Sequence, residues 1–300
     1  MAQAQEHETY QRPYPVLTAE QRFYLDAFGY VVIPNTLTAD EVGTLREVLQ
    51  KLKRDLLATK DPQATLRNAR IKQAGEHRTY LTTLVEADPA ITAYCTHPRL
   101  LGMSEELIGG EARIVEVGAI INSRDPRTWQ ERPDYGLHRG TDIKFGSHTQ
   151  NGLYHCNFVK TLTNLTDLGP DDGGTVVIPG SHKIDVSDKT SMECAYRDPR
   201  LIHHVVAPAG STLLFSETLI HGTGQIRSQN ERMILICGYA CRLFPFWDDA
   251  PMSADFLQRI PARVKPLFTG TAHWSRNPKY RTLEDPVDTK TYANINWSTI

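Results

Sequence analysis

The sequence predicts an α+β fold in which helices come first and a double-sheet core of many short strands follows. Two observations carry this prediction. Residues 18–110 show helix-start patterns and apolar residues at helical spacing. From residue 113 onward the chain changes to short apolar runs separated by Gly, Pro and Asp, which is typical of strands joined by turns. Helices followed by a series of short strands indicate a domain built on packed sheets.

Two capping boxes mark the start of the first two helices. Thr18 and Thr38 each stand three residues before a side chain that can cap in return, Gln21 and Glu41. The first helix is predicted to end near residue 28 and to lead into a short strand over residues 30–33, which Pro follows. The second helix is the longer one, because apolar residues recur at helical spacing after Thr38.

The polar stretches around these helices have weaker patterns. Residues 1–17 are polar and proline-bearing, and we expect a flexible N-terminal arm. Residues 58–80 are rich in basic side chains and predict a solvated loop. Residues 98–108 predict a further helix, which ends at a Gly-Gly pair.

The second half of the chain reads as strands. They are predicted over residues 114–122, 154–165, 174–178, 211–215 and 233–239. The sheet core then spans about residues 111–243, followed by a C-terminal extension over 244–300 with little periodicity. Residues 18–300 are predicted to form a single domain, and a chain of 300 residues with 40% hydrophobic content can bury such a core.

Composition narrows the partners and the compartment. The chain has 33 basic and 35 acidic residues, a formal net charge of −2, so neither a nucleic-acid polymer nor a membrane is a predicted partner. It shows no secretory signal and no apolar run of membrane-spanning length. The five cysteines form no C-x-x-C pair and favour neither a disulfide framework nor a zinc site. We expect a cytoplasmic protein.

Three residues of the strand region form a candidate site: His138, His221 and Arg232. Non-haem Fe(II) is usually held by two His and one carboxylate on one face, with the other positions open for co-substrate and oxygen. A guanidinium eleven residues after the second His (232 − 221 = 11) suits a bidentate contact with a carboxylate of 2-oxoglutarate. The metal-binding carboxylate expected two residues after His138 is missing, because that position is Gly140.

The chain resembles the phytanoyl-CoA dioxygenase family of Fe(II)/2-oxoglutarate oxygenases over most of residues 18–243. Residues 17–33, LTAEQRFYLDAFGYVVI, are similar to the N-terminal helix–strand unit of the family. Residues 171–183, DDGGTVVIPGSHK, are similar to its most specific signature. Residues 219–223, LIHGT, together with Arg232, resemble its distal metal ligand and its 2-oxoglutarate arginine.

The resemblance implies a fold and a set of roles. The fold would be a double-stranded β-helix, or jelly roll, with N-terminal and flanking helices and the metal at its mouth. His138 and His221 would bind Fe(II), and O2 would be the oxidant. Arg232 would bind the distal carboxylate of 2-oxoglutarate, and Thr223 would donate its hydroxyl to the same carboxylate.

The absence of a carboxylate at Gly140 decides which reaction we predict. It supplies neither a charge nor a ligand and leaves space beside the iron, so the resemblance narrows to halogenase-like members in which chloride coordinates iron directly. The predicted reaction is chlorination of an aliphatic carbon of a small metabolite in natural-product biosynthesis. The alternative is a hydroxylase in which Asp142 or water takes the third position. A metal-free binding protein is the third reading.

Few residues indicate the substrate. Arg139 lies beside the first ligand, and Arg70 and Lys72 lie in the basic stretch, so these side chains could bind an anionic group. His155 lies between the two ligands in sequence and could contact substrate. The hypothesis is a phosphate-bearing, nucleotide-like small molecule, and the chain could also form a homo-oligomer.

Overall fold

The computed structural model of the chain describes residues 17–127, 130, 133–150, 152–245, 252–262, 264–270 and 298. The expected arm over residues 1–16 and most of the C-terminal extension therefore lie outside the described residues. Leu17, which was assigned to the arm, is buried, and its N–H donates to Glu106 Oε2 at 2.8 Å. No helix among the described residues has the length and apolarity needed to cross a membrane.

The first half of the chain alternates helices with single strands and one hairpin. Its elements are α1 (Ala19–Phe28), β1 (Tyr30–Ile33), α2 (Ala39–Ala58), β2 (Arg70–Ala74), β3 (Arg78–Thr82), α3 (Pro89–Cys95), α4 (Pro98–Ile108) and β4 (Ala112–Asn122).

The second half is dominated by strands. Its elements are α5 (Ile143–Gly146), β5 (Ser147–Gln150), β6 (Leu153–Cys156), β7 (Phe158–Asn164), β8 (Thr175–Val177), α6 (Asp188–Arg197), β9 (His203–His204), β10 (Thr212–Ser216), β11 (His221–Thr223), β12 (Arg232–Cys241), α7 (Ala254–Arg259) and α8 (Lys265–Thr269). Two 3-10 turns, Ser181–Lys183 and Pro199–Leu201, flank α6.

Both predicted capping boxes are confirmed. The Thr18 and Thr38 side chains each accept from the N–H three residues later, and the Gln21 and Glu41 side chains accept from the capping residues in return. Such a cap contributes about 1 kcal/mol. Helix α1 ends at Gly29, whose φ of 83° is the left-handed conformation that glycine adopts without strain.

Two antiparallel sheets form the core. The larger has the strand order β1-β10-β7-β12-β4-β3-β2, and the smaller has the order β11-β8-β9; β5 and β6 form a separate hairpin. One face of the large sheet packs on the helices, and the other packs on the small sheet. Ile120, Phe215 and Ile234 of the large sheet join Val177 of the small sheet in one buried cluster. The predicted double-sheet core is therefore present, as an open rather than a closed arrangement.

The solvated loop expected over residues 58–80 is wrong. That stretch contains β2 and most of β3, which extend the large sheet beyond β4. Strand β2 lies at the sheet edge, and most of its side chains stay exposed. An edge strand of this kind lacks the alternation of buried and exposed residues that distinguishes a strand in the sequence.

The inner face of the large sheet also carries charged side chains. Side chains alternate between faces along a strand, so Arg232 points to the same side as Ile234 two residues later on β12. Lys160 of β7 lies in register between Phe215 and Gly238, and Glu116 of β4 lies opposite Gly238. A polar region therefore borders the apolar cluster between the two sheets.

Candidate metal centre

The two predicted histidine ligands lie side by side. His138 and His221 are 83 residues apart in sequence (221 − 138 = 83). An antiparallel bridge joins them, in which each N–H donates to the carbonyl of the other at 2.9 Å. Their ring centroids are 4.3 Å apart. The structure thus brings together the pair that the sequence predicted.

Main-chain carbonyls orient both imidazole rings. His138 Nδ1 lies 2.8 Å from the carbonyl oxygen of Gly136, and His221 Nδ1 lies 3.0 Å from that of Leu219. A carbonyl oxygen only accepts, so each Nδ1 carries a proton, and a metal ion would bind the lone pair of each Nε2 in the neutral ring. Histidines that bind metals are held in this way, and the pair fits a metal through its Nε2 atoms.

Burial keeps His221 in the metal-binding form. The residue is 6% exposed, and this burial lowers the pKa of its imidazole to about 4. The ring is therefore neutral near pH 7, as a metal ligand must be. The ring of Phe215 packs edge-on against it at 4.7 Å between centroids.

Glu217 is a residue of this centre that the sequence reasoning missed. Its side chain is buried, and its Oε1 lies 2.9 Å from Lys160 Nζ, which is also 2.9 Å from Glu116 Oε2. Burial by itself raises the pKa of Glu217, but the positive charge of Lys160 outweighs this effect, so the net shift of the pKa is downward. A charged residue inside the apolar run TLLFSETLI was the available sign in the sequence.

The carboxylate of Glu217 lies against Gly140. The Gly140 N–H donates to the Glu217 carbonyl oxygen at 2.9 Å. A Cβ atom built on Gly140 would overlap Glu217 Oε2 and lie 2.7 Å from the carboxyl carbon. The open halide position expected at Gly140 is thus not open in the structure, because a carboxylate from another segment occupies that space.

Asp142 has a different role from the one considered for it. It is exposed and caps α5, where its Oδ1 accepts from the Lys144 N–H at 2.8 Å. Its carboxylate is therefore engaged in a local turn. Among the described residues, no three His, Cys, Asp or Glu side chains are already gathered as a metal-binding cluster.

Arg139 is built into the protein scaffold. Its side chain is almost fully buried, its Nε donates to Asp188 Oδ1 at 2.8 Å, and its Nη1 donates to the carbonyl oxygens of Ser181 and Thr218. These contacts fasten the His138 segment to α6 and to the turn of the PGSHK motif. Protein groups thus use Nε and Nη1, whereas Nη2 has no hydrogen-bond partner among the described residues. The expectation that Arg139 binds an anionic substrate stays a prediction.

Arg232 has the properties of an anion-binding residue. It is 2% exposed, and its Nε and Nη1 have no hydrogen-bond partner among the described residues. Burial, followed by the nearby charge of Arg78, lowers the pKa of its guanidinium to about 10. A buried charge without a counter-ion is costly, so the site fits an anionic ligand such as the carboxylate of 2-oxoglutarate.

Thr175 contacts this arginine, and the expected contact of the Thr223 hydroxyl with 2-oxoglutarate stays a prediction. Arg232 Nη2 lies 3.4 Å from Thr175 Oγ1. Thr223 lies opposite Thr175 in the register of β11 and β8, and its N–H donates to the carbonyl oxygen of Tyr135. Thr175 belongs to the family-like segment DDGGTVVIPGSHK, and this position was the only indication in the sequence that it could contribute to the site.

The expected substrate residues lie in separate places. Arg70 and Lys72 are on the edge strand β2, where Lys72 Nζ lies 5.3 Å from the centroid of the Tyr80 ring. His155 is on β6, where it stacks on His148 at 5.3 Å and packs against the end of α4 at Gly109. Their roles in substrate binding stay predictions.

A cavity of about 320 Å³ opens beside the small sheet. Tyr135, His204 and Arg227 are among its lining residues, whereas His138, His221 and Arg232 are not. The cavity therefore neighbours the histidine pair through the contact of Tyr135 with β11 but does not contain it.

Two oriented histidines and a buried, uncompensated arginine fit a site that holds a metal ion and a carboxylate ligand. The sequence profile of the family described as Phytanoyl-CoA dioxygenase (PhyH) matches residues 25–234. The chain belongs to this family, and its enzyme class is that of non-haem Fe(II)/2-oxoglutarate-dependent dioxygenases.

Curated relatives of different activities match most of the chain. The human peroxisomal phytanoyl-CoA dioxygenase is 24% identical over 271 residues, which cover 85% of this chain and 78% of the relative. The L-proline trans-4-hydroxylase of Streptomyces griseoviridis is 21% identical over 251 residues, which cover 75% of this chain and 86% of the relative.

Solved structures confirm the jelly-roll fold. HygX from Streptomyces hygroscopicus, with nickel and 2-oxoglutarate bound, superposes with a TM-score of 0.62 at 23% identity, covering 80% of this chain and 93% of HygX. The epimerase SnoN from nogalamycin biosynthesis has a TM-score of 0.53 at 20% identity, covering 74% of this chain and 79% of SnoN.

Proposed function

We propose that the protein hydroxylates an aliphatic carbon of a small metabolite, using Fe(II), O2 and 2-oxoglutarate. The pairing of His138 with His221, each with its Nε2 available, carries this proposal. Membership of the dioxygenase family and a hydroxylase among the relatives support it.

Different residues would bind the metal and the co-substrate. His138 and His221 would hold Fe(II), which when bound activates O2 and supports the oxidation of 2-oxoglutarate to succinate and CO2. Arg232 would bind the distal carboxylate through its guanidinium fork, and the Thr175 hydroxyl lies near enough to add a contact. The apolar cluster beside them limits the access of water to the reacting groups.

Chlorination is the second candidate. It is favoured by one observation, that position 140 has no carboxylate of its own. The Glu217 carboxylate opposes it, because an anion that fills the space beside Gly140 repels chloride and leaves little volume for it. Hydroxylation is therefore the better supported reaction.

The substrate is proposed to be a small metabolite with an anionic group. Support comes from the cationic side chains of Arg70, Lys72 and Arg78, which lie on the adjacent strands β2 and β3. The charge of Arg78 acts on Arg232, so this part of the hairpin lies near the proposed co-substrate site.

Anaerobic spectroscopy tests the proposal. Addition of 2-oxoglutarate to the Fe(II)-loaded protein should produce a metal-to-ligand charge-transfer band, and succinate should form once O2 is admitted. The band should stay unchanged when chloride and then bromide are titrated. A band that moves with the halide would replace hydroxylation by chlorination, and the absence of both metal binding and a band would overturn the enzyme proposal.

A further inference from the structure

We propose that Glu217 is the carboxylate of the metal centre and takes the place of the one that Gly140 lacks. This inference rests on the proposed function, since it assumes a metal ion at His138 and His221. It assigns the negative charge of the centre to the segment between β10 and β11 instead of to the segment that carries the first histidine.

The Glu217 carboxylate occupies the space in which a side chain at position 140 would begin. A Cβ at residue 140 would overlap Glu217 Oε2. Every residue other than glycine at position 140 would therefore force the Glu217 side chain to move. The two segments cannot easily separate, because the N–H groups of Gly140 and Thr141 both donate to the Glu217 carbonyl oxygen, at 2.9 and 3.1 Å. Glycine at position 140 is therefore what the Glu217 carboxylate requires.

The buried group of Glu217, Glu116 and Lys160 is not electrically neutral. Glu217 is only 1% exposed, and its partner Lys160 is shared at equal 2.9 Å distances with Glu116. Two carboxylates and one ammonium leave this buried group with one negative charge in excess. Buried charge needs a counter-charge nearby. A cation bound by His138 and His221, whose segments both lie next to that of Glu217, would provide it.

The backbone of Glu217 is close to both histidine segments. Glu217 lies four residues before His221, and its backbone is bonded to the residue two after His138. The backbone of Glu217 thus lies beside the segments of both histidines, although the segment that contributes this carboxylate differs from the one expected. Among the described residues the carboxylate and the two rings are not yet gathered as a three-residue metal cluster, so metal binding would have to draw them together.

Metal titration of the full-length chain tests this assignment. The probe is Co(II), whose affinity is measured by calorimetry under anaerobic conditions and whose visible spectrum reports its coordination. Glu217→Gln keeps the size of the side chain but removes its charge, and we expect roughly 10- to 100-fold weaker Co(II) binding. Glu116→Gln is the matched comparison, because it removes the same charge from the group around Lys160 but at a carboxylate that does not lie against Gly140. It measures the effect of charge alone, so its loss of affinity should be clearly smaller than that of Glu217→Gln.

Relocating the carboxylate provides an independent check. Gly140→Asp alone should bind Co(II) poorly, because the new side chain overlaps Glu217. Gly140→Asp combined with Glu217→Ala removes the overlap and returns one carboxylate to the centre, so binding should recover. If Gly140→Asp fails to fold, the comparison of Glu217→Gln with Glu116→Gln still tests whether Glu217 is the carboxylate of the metal centre.

The outcomes separate the inference from the proposed function. Wild-type affinity in Glu217→Gln, together with Co(II) binding that strengthens with chloride, would overturn the role of Glu217 and leave an Fe(II) enzyme with a halide position. A wild-type chain that binds no Co(II) would overturn the proposed function itself. A larger loss of binding in Glu217→Gln than in Glu116→Gln, together with recovery in the double variant, would establish the assignment.

Discussion

Arg232 and Glu217 are both buried, and the protein neutralises them to different extents. Glu217 has Lys160 at 2.9 Å, whereas two nitrogens of Arg232 have no partner among the described residues. An unsatisfied buried donor is unfavourable in a folded protein unless a ligand satisfies it. The unpaired guanidinium is therefore the clearest evidence at the level of single residues for a carboxylate ligand.

Replacing Arg232 with Lys should weaken 2-oxoglutarate binding. Lys keeps the positive charge but lacks the planar fork, so the affinity should fall roughly 10- to 100-fold, as expected for a lost charged hydrogen bond. Titration of the charge-transfer band measures it. Thr223→Val, titrated in the same way, tests the predicted contact of the Thr223 hydroxyl, since Thr223 lies opposite Thr175 in the small sheet. An unchanged affinity in Arg232→Lys would contradict the assignment.

His182 should make the stability of the protein depend on pH. It is fully buried, and burial lowers the pKa of its imidazole from 6.5 to about 4. The unfolded chain therefore binds a proton between pH 6.5 and 4 that the folded chain does not, and stability falls as the pH falls through this range. The loss from this group should reach about 3 kcal/mol.

Urea unfolding at pH 7 and at pH 4.5 measures this effect. His182→Asn should show a smaller loss of unfolding free energy between the two pH values than the wild type, whatever its stability at pH 7. Equal losses in the two proteins would show that His182 is not the responsible group. Other buried histidines, such as His221, titrate in the same direction, so some pH dependence should remain in the variant.

At the level of elements, the turn after α1 joins two motifs that are far apart in sequence. Gly29 ends α1, and a Cβ built on it would lie 2.6 Å from Nδ1 and 2.7 Å from Cγ of His182. The N-terminal helix–strand unit and the PGSHK turn thus pack directly on each other, and the N–H of Gly180 donates to the Phe28 carbonyl oxygen at 2.9 Å. This contact accounts for the presence of both motifs in one fold.

Gly29→Ala and Gly43→Ala should have opposite effects. Gly29 has a φ of 83° and touches His182, so Ala there should destabilise the protein by more than the roughly 1–2 kcal/mol of a left-handed residue alone. Gly43 lies within α2 with nothing near its added Cβ, so Ala there should stabilise by about 0.5–1 kcal/mol. Thermal and urea unfolding compare them. Similar effects at both positions would contradict this account.

The elements that sequence patterns predicted correctly are those with local rules. Thr18 and Thr38 cap helices through contacts within four residues, and the helix over Pro98–Ile108 ends at Gly109 as expected. Strand β3 was missed because its partner β4 lies about 40 residues further along the chain, where no local pattern shows the pairing (Thr79 pairs with Ile121, 121 − 79 = 42). Strand β2 was missed because it pairs only with β3 at the sheet edge and most of its side chains are exposed. Helix α6 was missed because its sequence is mostly polar and only one of its residues is fully buried.

For the molecule as a whole, opposite charges remain uncompensated in two parts of the site. The group of Glu116, Lys160 and Glu217 has one negative charge in excess, and Arg232 has one positive charge without a partner. A metal ion would balance the first and 2-oxoglutarate the second. The folded protein should therefore be more stable with both bound than with neither.

Ligand removal should lower the melting temperature. A metal ion present at a hundred times its Kd adds about 2.7 kcal/mol to the free energy of unfolding, and 2-oxoglutarate should add a further increment when the metal is present. Thermal unfolding with Co(II), with Co(II) plus 2-oxoglutarate, and with a chelator measures both steps. Arg232→Lys should lose mainly the second step. A melting temperature that is the same in all conditions would contradict ligand binding at this site.

The separate parts of the site differ in how far they could be predicted. His138, His221 and Arg232 were identifiable because residue type and spacing indicate their chemistry without knowledge of the fold. Gly136, Thr175 and Glu217 were not, because each acts on a residue that is distant in sequence or through its backbone. Local patterns therefore determined the capped helices, the strand-rich core and the candidate metal and co-substrate residues. Only the tertiary structure decided which carboxylate lies against Gly140, since the pairing of His138 with His221 and the backbone contacts that flank it bring Glu217 there from a distant part of the chain.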